Sequence, residues 1–334
     1  MLCILLLTTS CEHTLPYIDE VQQDSTLVVN AVAVTDTVLS VTVSYARTLD
    51  QIPHVSSADF WSREASDTST YRLPLEVNCS DATVEAWVNG SHAVTFEYDV
   101  KSRSYISDYC PKPGDYIDLA VSKEKNSGFV TAKASTIVPA HPSIEVLDYT
   151  EEETTIVLDT VGDFGNSPLP FDDRTYMRLT CKINDPAGNN YYRLLVRVVG
   201  DVDPWYYSTY KKGVAVADVF HSDDPLFIDN RLSKNYGGWP AYFSNVFDDH
   251  LFNGTSYTFS VSSYRKNLHC KNHRVYLELQ EISKDFYYYL KSMQVYRITD
   301  LGDFSEALQI HSNVEKGWGI FGSLTGTRIV IPFK

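Results

Sequence analysis

The sequence predicts an all-β protein: an N-terminal immunoglobulin-like β-sandwich followed by a second, loop-rich antiparallel β domain with one amphipathic helix. Three observations carry this. Short runs with apolar residues at every second position recur, as in Leu39-Ser-Val-Thr-Val-Ser44, Thr83-Val-Glu-Ala-Trp-Val-Asn89 and Tyr257-Thr-Phe-Ser-Val-Ser262, the pattern of a strand with one buried face. Asn89-Gly90 separates two such runs and marks a hairpin, because a type I′ turn needs positive φ at both central residues. Only one segment, opening at Ser283, repeats its apolar residues at helical spacing.

At 334 residues the chain exceeds one typical core, so two domains are expected. With 43% hydrophobic and 21% charged residues it has material for packed cores. A net charge of −15 argues against a nucleic-acid partner, since neutralising phosphates takes clustered Lys and Arg. The acidity itself is read as serving solubility.

Residues 1–11, Met-Leu-Cys-Ile-Leu-Leu-Leu-Thr-Thr-Ser-Cys, form an apolar run ending in small residues. It is too short to span a bilayer, which takes about 20 residues. It resembles the tail of a bacterial lipoprotein signal peptide, in which the cysteine, here Cys11, is acylated on its thiol and becomes the mature N-terminus. No basic residue precedes Ile4, and Thr8 stands where leucine is commoner; a start further upstream would supply the basic region. The competing reading is a buried N-terminal strand. Residues 12–25 then form a polar tether, and acyl chains at Cys11 would hold the protein on the outer membrane, facing outside. In an oxidising compartment Cys79, Cys110, Cys181 and Cys270 make an even set, with Cys79–Cys110 and Cys181–Cys270 favoured as pairs within a domain and free thiols as the alternative.

The first domain is placed at 26–138, with seven or so short strands and a polar insertion from Gln51 to Leu73. Val138-Pro-Ala-His-Pro-Ser143 holds two prolines that cannot continue a ladder and sets the boundary. The second domain, 144–334, adds strands at 176–184, 191–199, 257–262 and 274–281, a final one at 328–333, and a helix near 284–297. Ser283 is expected to cap it, and Phe286, Tyr289, Leu290 and Met293 to form its buried stripe. The stretch from Gly200 to Asn253 reads as long loops.

Several chemical motifs fail on context. Gly317-Trp-Gly319-Ile-Phe-Gly322 matches G-x-G-x-x-G, but a dinucleotide site needs a following helix and an acidic residue about 20 positions on. These glycines are read as a turn or bulge before the final strand, with Trp318 and Phe321 packed around it. His269, Cys270 and His273 could supply zinc ligands, although an oxidising compartment favours a disulfide. Acidic pairs at Asp172-Asp173, Asp201-x-Asp203, Asp223-Asp224 and Asp248-Asp249 suit solvated turns, with calcium as the lesser alternative and no cofactor expected otherwise. Trp205, Tyr206, Tyr207 and Tyr210, with Tyr236 and Trp239, are the candidate contacts to a ligand or partner, because a rigid ring with a polar tip suits binding surfaces. Covering one end of a sandwich would use them equally.

The chain resembles the Bacteroidetes outer-membrane lipoproteins grouped as domain of unknown function 4249. The likeness is carried by Leu27-Val-Val-Asn-Ala31 shortly after Cys11, Asp81-Ala-Thr-Val-Glu85, Pro113-Gly-Asp-Tyr-Ile117 and Ile137-Val-Pro139. The second half adds Asn190-Tyr-Tyr-Arg-Leu194, Phe252-Asn-Gly-Thr-Ser-Tyr257, Ile282-Ser-Lys-Asp-Phe-Tyr-Tyr-Tyr-Leu290 and, most specifically, Ser312-Asn-Val-Glu-Lys-Gly-Trp-Gly-Ile-Phe-Gly322. The resemblance implies an exported lipoprotein that works beside a TonB-dependent β-barrel receptor, in nutrient uptake or outer-membrane assembly, with no catalytic residues to carry over. A non-enzymatic binding partner is therefore expected; a secreted hydrolase on polysaccharide or peptide, or an adhesive surface protein, are the alternatives.

Overall fold

A computed structural model describes residues 26–46, 78–125, 128–157, 171–202, 215–217, 220–229, 232, 243–266, 270–299 and 309–332. The described residues are mostly β-strand. Among the described residues three sheets and one α-helix, α1 (Lys284–Thr299), make up the fold. The Gln51–Leu73 insertion lies outside the described residues.

The first half folds as its alternation requires. β1 (Leu27–Val34), β2 (Ser40–Tyr45), β5 (Glu97–Asp99) and β6 (Ser104–Ile106) lie in one sheet, while β3 (Thr83–Val88), β4 (His92–Thr95), β7 (Tyr116–Lys125) and β8 (Gly128–Ile137) form a four-stranded sheet ordered β4-β3-β7-β8. Their inward residues, among them Leu27, Val29, Val41, Val84, Ile117 and Leu119, form one core. The hairpin forms at Asn89 (φ 53°) and Gly90 (φ 74°), closed by the Ser91 N–H donating to Val88 O at 3.2 Å. Its register, Val88 opposite His92, makes the loop three residues long.

The second half packs a three-stranded sheet, β14 (Ser256–Lys266), β10 (Phe171–Asn184) and β9 (Ser143–Val157), against β11 (Tyr191–Val202) and β15 (Cys270–Ile282). β12 (Ala215–Ala217) and β13 (Val246–Asp248) both pair with β11. β9 is a strand the alternation does not reveal. Its register against β10 slips between Thr180 and Cys181, which partner Asp148 and Val146, so Leu147 bulges out half-exposed and the inward parity changes from Ile144 and Val146 to Tyr149.

β16 (Gly317–Pro332) joins the halves. It pairs parallel with β1 and antiparallel with β15, giving a nine-stranded sheet that runs β12-β11-β15-β16-β1-β2-β6-β5 with β13 beside β11. One face of β16 changes character along its length. Phe321 packs in the first core, and Ile329 and Ile331 pack against the second. Between them lie three hydroxyls: Ser323 Oγ donates to Ile137 O (2.6 Å), Thr325 Oγ1 to Pro139 O (2.8 Å) and Thr327 Oγ1 to Pro142 O (2.6 Å). Prolines 139 and 142 bring carbonyls without N–H groups, and the strand supplies the donors they lack from side chains.

The expected turn at Gly317–Gly322 is the first part of this strand, and the physical reason is close approach rather than chain reversal. A Cβ on Gly319 (φ 112°) would sit 2.1 Å from Val29 O, and one on Gly322 would sit 2.7 Å from Phe286 Cβ. The first glycine lets β1 and β16 pair, and the second seats α1 on the sheet. Phe321 is buried as expected, whereas Trp318 is half-exposed.

α1 begins at the expected place with a different chemistry. The Ser283 hydroxyl accepts from the Ser323 N–H (3.0 Å), which extends the β15–β16 ladder, while Ser283 O accepts from Tyr287 N (2.9 Å) to start the helix. Its buried residues are Phe286, Tyr287 and Lys291; Tyr289, Leu290 and Met293 are only partly covered. Lys291 reaches Asp229 (2.8 Å) and Ser244 Oγ (3.0 Å), each partner being buried. A lysine is tolerated on this face because the 220s segment brings a carboxylate to it.

Candidate functional site

Cys11, Trp205, Tyr206, Tyr207, Tyr210, Tyr236 and Trp239 all lie outside the described residues. The expected disulfides are not formed: Cys79, Cys110 and Cys181 are free thiols. Cys79 is buried and donates to the Tyr45 hydroxyl (3.2 Å), whereas Cys110 is exposed. Cys181 is fully buried on β10, where desolvation pushes its thiol up to about 12. The side chains of Cys270 and of the zinc candidates His269 and His273 lie outside the described residues, as do those of Asp172, Asp173, Asp201 and Asp203.

Two of the acidic pairs are described, and protein donors reach Asp224, Asp248 and Asp249, while Asp223 is exposed. Asp224 Oδ1 accepts from Leu226 N (3.0 Å), capping the short 3-10 helix Pro225–Phe227, and from the Tyr257 hydroxyl (2.9 Å). Asp249 Oδ2 accepts from Asn190 N (3.0 Å), and Asp248 from the Tyr287 hydroxyl (3.2 Å) and the His250 ring. Among the described residues no three His, Cys, Asp or Glu side chains are grouped to hold a metal ion.

The structure instead builds a site where the two halves meet. A depression of about 440 Å³ is bordered by Tyr116 and Ile137 from the first half, Asn190 and Tyr191 at the start of β11, and Glu281 with Lys284 where β15 passes into α1. Asp185, just beyond β10, anchors the wall. It accepts from the Tyr192 hydroxyl (2.6 Å), Asn190 Nδ2 (3.3 Å) and Gly254 N (2.8 Å). Burial first, and then the charge and hydrogen bond of Asp185, push the Tyr192 hydroxyl far above the usual tyrosine range. Asp249 is raised too, mainly by its own desolvation, against the lowering effect of the Asn190 N–H.

Glu281 is the unusual member. Strand parity places it after Leu277 and Leu279 on the face of β15 turned to the core, opposite Tyr192 in the ladder. It is 8% exposed, and among the described residues no hydrogen-bond donor reaches its carboxyl. Desolvation, with Asp185 adding repulsion, raises it to about 7. The signal was present in the sequence as an apolar alternation that ends on a carboxylate.

A second, broader depression of about 550 Å³ lies on the outer side of β10 and β14, lined by Arg178, His221, Asp223 and the hydroxyls of Thr258, Ser260 and Ser262. Ser222 Oγ donates to Ser260 O (2.6 Å) and accepts from Asp224 N (3.2 Å), so this hydroxyl is already engaged in holding the segment to the sheet.

A family model described as Domain of unknown function (DUF4249) matches residues 14–329. No curated protein and no solved structure matches the chain.

Proposed function

The chain belongs to the DUF4249 family, and from that premise we propose that it is a non-enzymatic binding protein of the bacterial outer membrane, anchored through acyl chains on Cys11 and docked on a TonB-dependent β-barrel receptor. The observation that carries the reading is the place of β1. The tether from Cys11 leads straight into a strand that is hydrogen-bonded on both sides, antiparallel to β2 and parallel to β16 over eight residue pairs. A pull on the anchor meets the middle of the largest sheet, in shear, and not a frayed edge. Residues 12–26 extend at most roughly 50 Å at about 3.4 Å per residue, so a lipid on Cys11 keeps the folded part within one protein diameter of the membrane. Acyl chains add about 0.8 kcal/mol per buried methylene, and more than one chain gives lasting attachment.

Binding is favoured over hydrolysis by the engagement of four aspartates of the second half. Asp185, Asp224, Asp248 and Asp249 all accept hydrogen bonds from the protein itself. Purification of the tagged protein in mild detergent tests the docking: a β-barrel protein recovered in near-equal amount is the expected result, and its absence contradicts the proposal.

A further inference from the structure

We infer that the depression at the junction of the two halves is a binding site for an organic ammonium or guanidinium group, held by the Glu281 carboxylate. The inference deepens the binding reading by naming a ligand class, and it is tested without reference to the anchor or to a barrel. Three observations support it. Glu281 is 8% exposed, borders the cavity and has no donor within hydrogen-bonding reach among the described residues, whereas Asp185 and Asp249 beside it have theirs from Tyr192, Asn190 and Gly254. Among the described residues the fully enclosed side-chain oxygen without a partner is Gln280 Oε1, so the Glu281 oxygens keep contact with the cavity; desolvation makes the ionised carboxylate costly there, and a ligand N–H group would offset that cost. Next, the surrounding charge is negative: Asp185 repels Glu281, Asp249 neighbours Asp185, and Asp285 lines the depression. Among the described residues the one cation on the wall, Lys284, is exposed. Lastly, Tyr116 and Tyr191 line the same depression, Tyr191 with its ring centroid 4.8 Å from that of Tyr287, and aromatic side chains attract a cation. A single free carboxylate with amide and phenol neighbours suits an ammonium, since calcium takes six or more oxygens and magnesium a full octahedron.

The site is proton-linked. The groups nearest Glu281 are Asp185 and Tyr192, with Asp249 beside Asp185, with Tyr191, Lys284 and Asp285 lining the depression, and with His311 paired to Asp285 at 2.9 Å. A cation binds the ionised carboxylate and displaces its proton, so affinity falls about tenfold per pH unit below 7 and levels off above about 8. His311, paired to Asp285, needs its own control.

Calorimetric titration of the full chain in detergent with agmatine and n-butylammonium, against butyrate and butanol, tests the inference. The expected result at pH 8 is saturable binding of the two cations alone, a tenfold loss between pH 6.5 and 5.5, and release of close to one proton per cation at pH 6. Glu281→Gln should weaken binding at pH 8 at least tenfold, while His311→Asn keeps the pH profile. Absence of saturation, equal binding of butanol, no proton release at pH 6, or a pH profile that follows His311 would each overturn it. The proton count is read on the unaltered protein and decides the matter even where a variant fails to fold.

Discussion

The two cores are made of different material. The first is assembled almost wholly from aliphatic side chains in regular strands, with Tyr105 and Phe321 its buried rings among the described residues. The second is built around Tyr192, Phe220, Phe227, Phe247, Phe252 and Phe259, and four of these six rings stand outside long strands. Phe227 touches four other rings, Phe220, Phe243, Phe247 and Phe259, with centroids 5.3 to 6.1 Å away. The contrast shows that an irregular segment can build a core rather than decorate it. A ring of this size fills the gap between two sheets without the strand regularity that aliphatic packing relies on.

Truncating the central ring gives the largest expected effect. Phe227→Ala should cost roughly 3–5 kcal/mol by chemical denaturation, against about 2 for Val41→Ala in the aliphatic core. Equal costs would erase the distinction between the cores. Gly319→Ala should be comparable, about 3 kcal/mol or more, because its Cβ would overlap Val29 O at a backbone angle that side chains avoid. Since β16 belongs to both halves, that loss should appear in probes of either core; a loss confined to the first would separate them.

Glu281→Gln sharpens the account of the junction through pH. The folded-state carboxyl is raised from 4.5 to about 7, so the stability associated with its protonated form is fully present below pH 4.5 and is lost as pH rises through 7. The variant should match the parent at pH 4 and exceed it by up to about 3 kcal/mol at pH 8, read from urea midpoints at both pH values. The smallest effect falls on the linker. Thr325→Val removes the donor to Pro139 O and should cost about 1 kcal/mol, mainly by loosening the junction, as hydrogen exchange in β8 and β9 would report.

Much of the first core was legible because its strands alternate cleanly. The second half was harder for identifiable reasons. The bulge at Leu147 breaks the period of β9. Gly317, Gly319 and Gly322 imitate a turn while serving a parallel pairing that sequence spacing cannot announce. Segment 220–252 looked like loop, yet Phe220, Phe227, Phe247 and Phe252 are core. The aromatic residues singled out as contacts lie outside the described residues, while the junction site depended on a tertiary meeting of Asn190, Asp185 and Glu281. Only the parity of Leu277, Leu279 and Glu281 could have hinted at it.

The functional account rests on Cys11, and metabolic labelling with an alkynyl fatty acid addresses it directly. The account predicts a labelled protein that fractionates with the outer membrane and a Cys11→Ala variant that is unlabelled and released from it. An unlabelled parent protein, or a variant that stays equally membrane-bound, would contradict it.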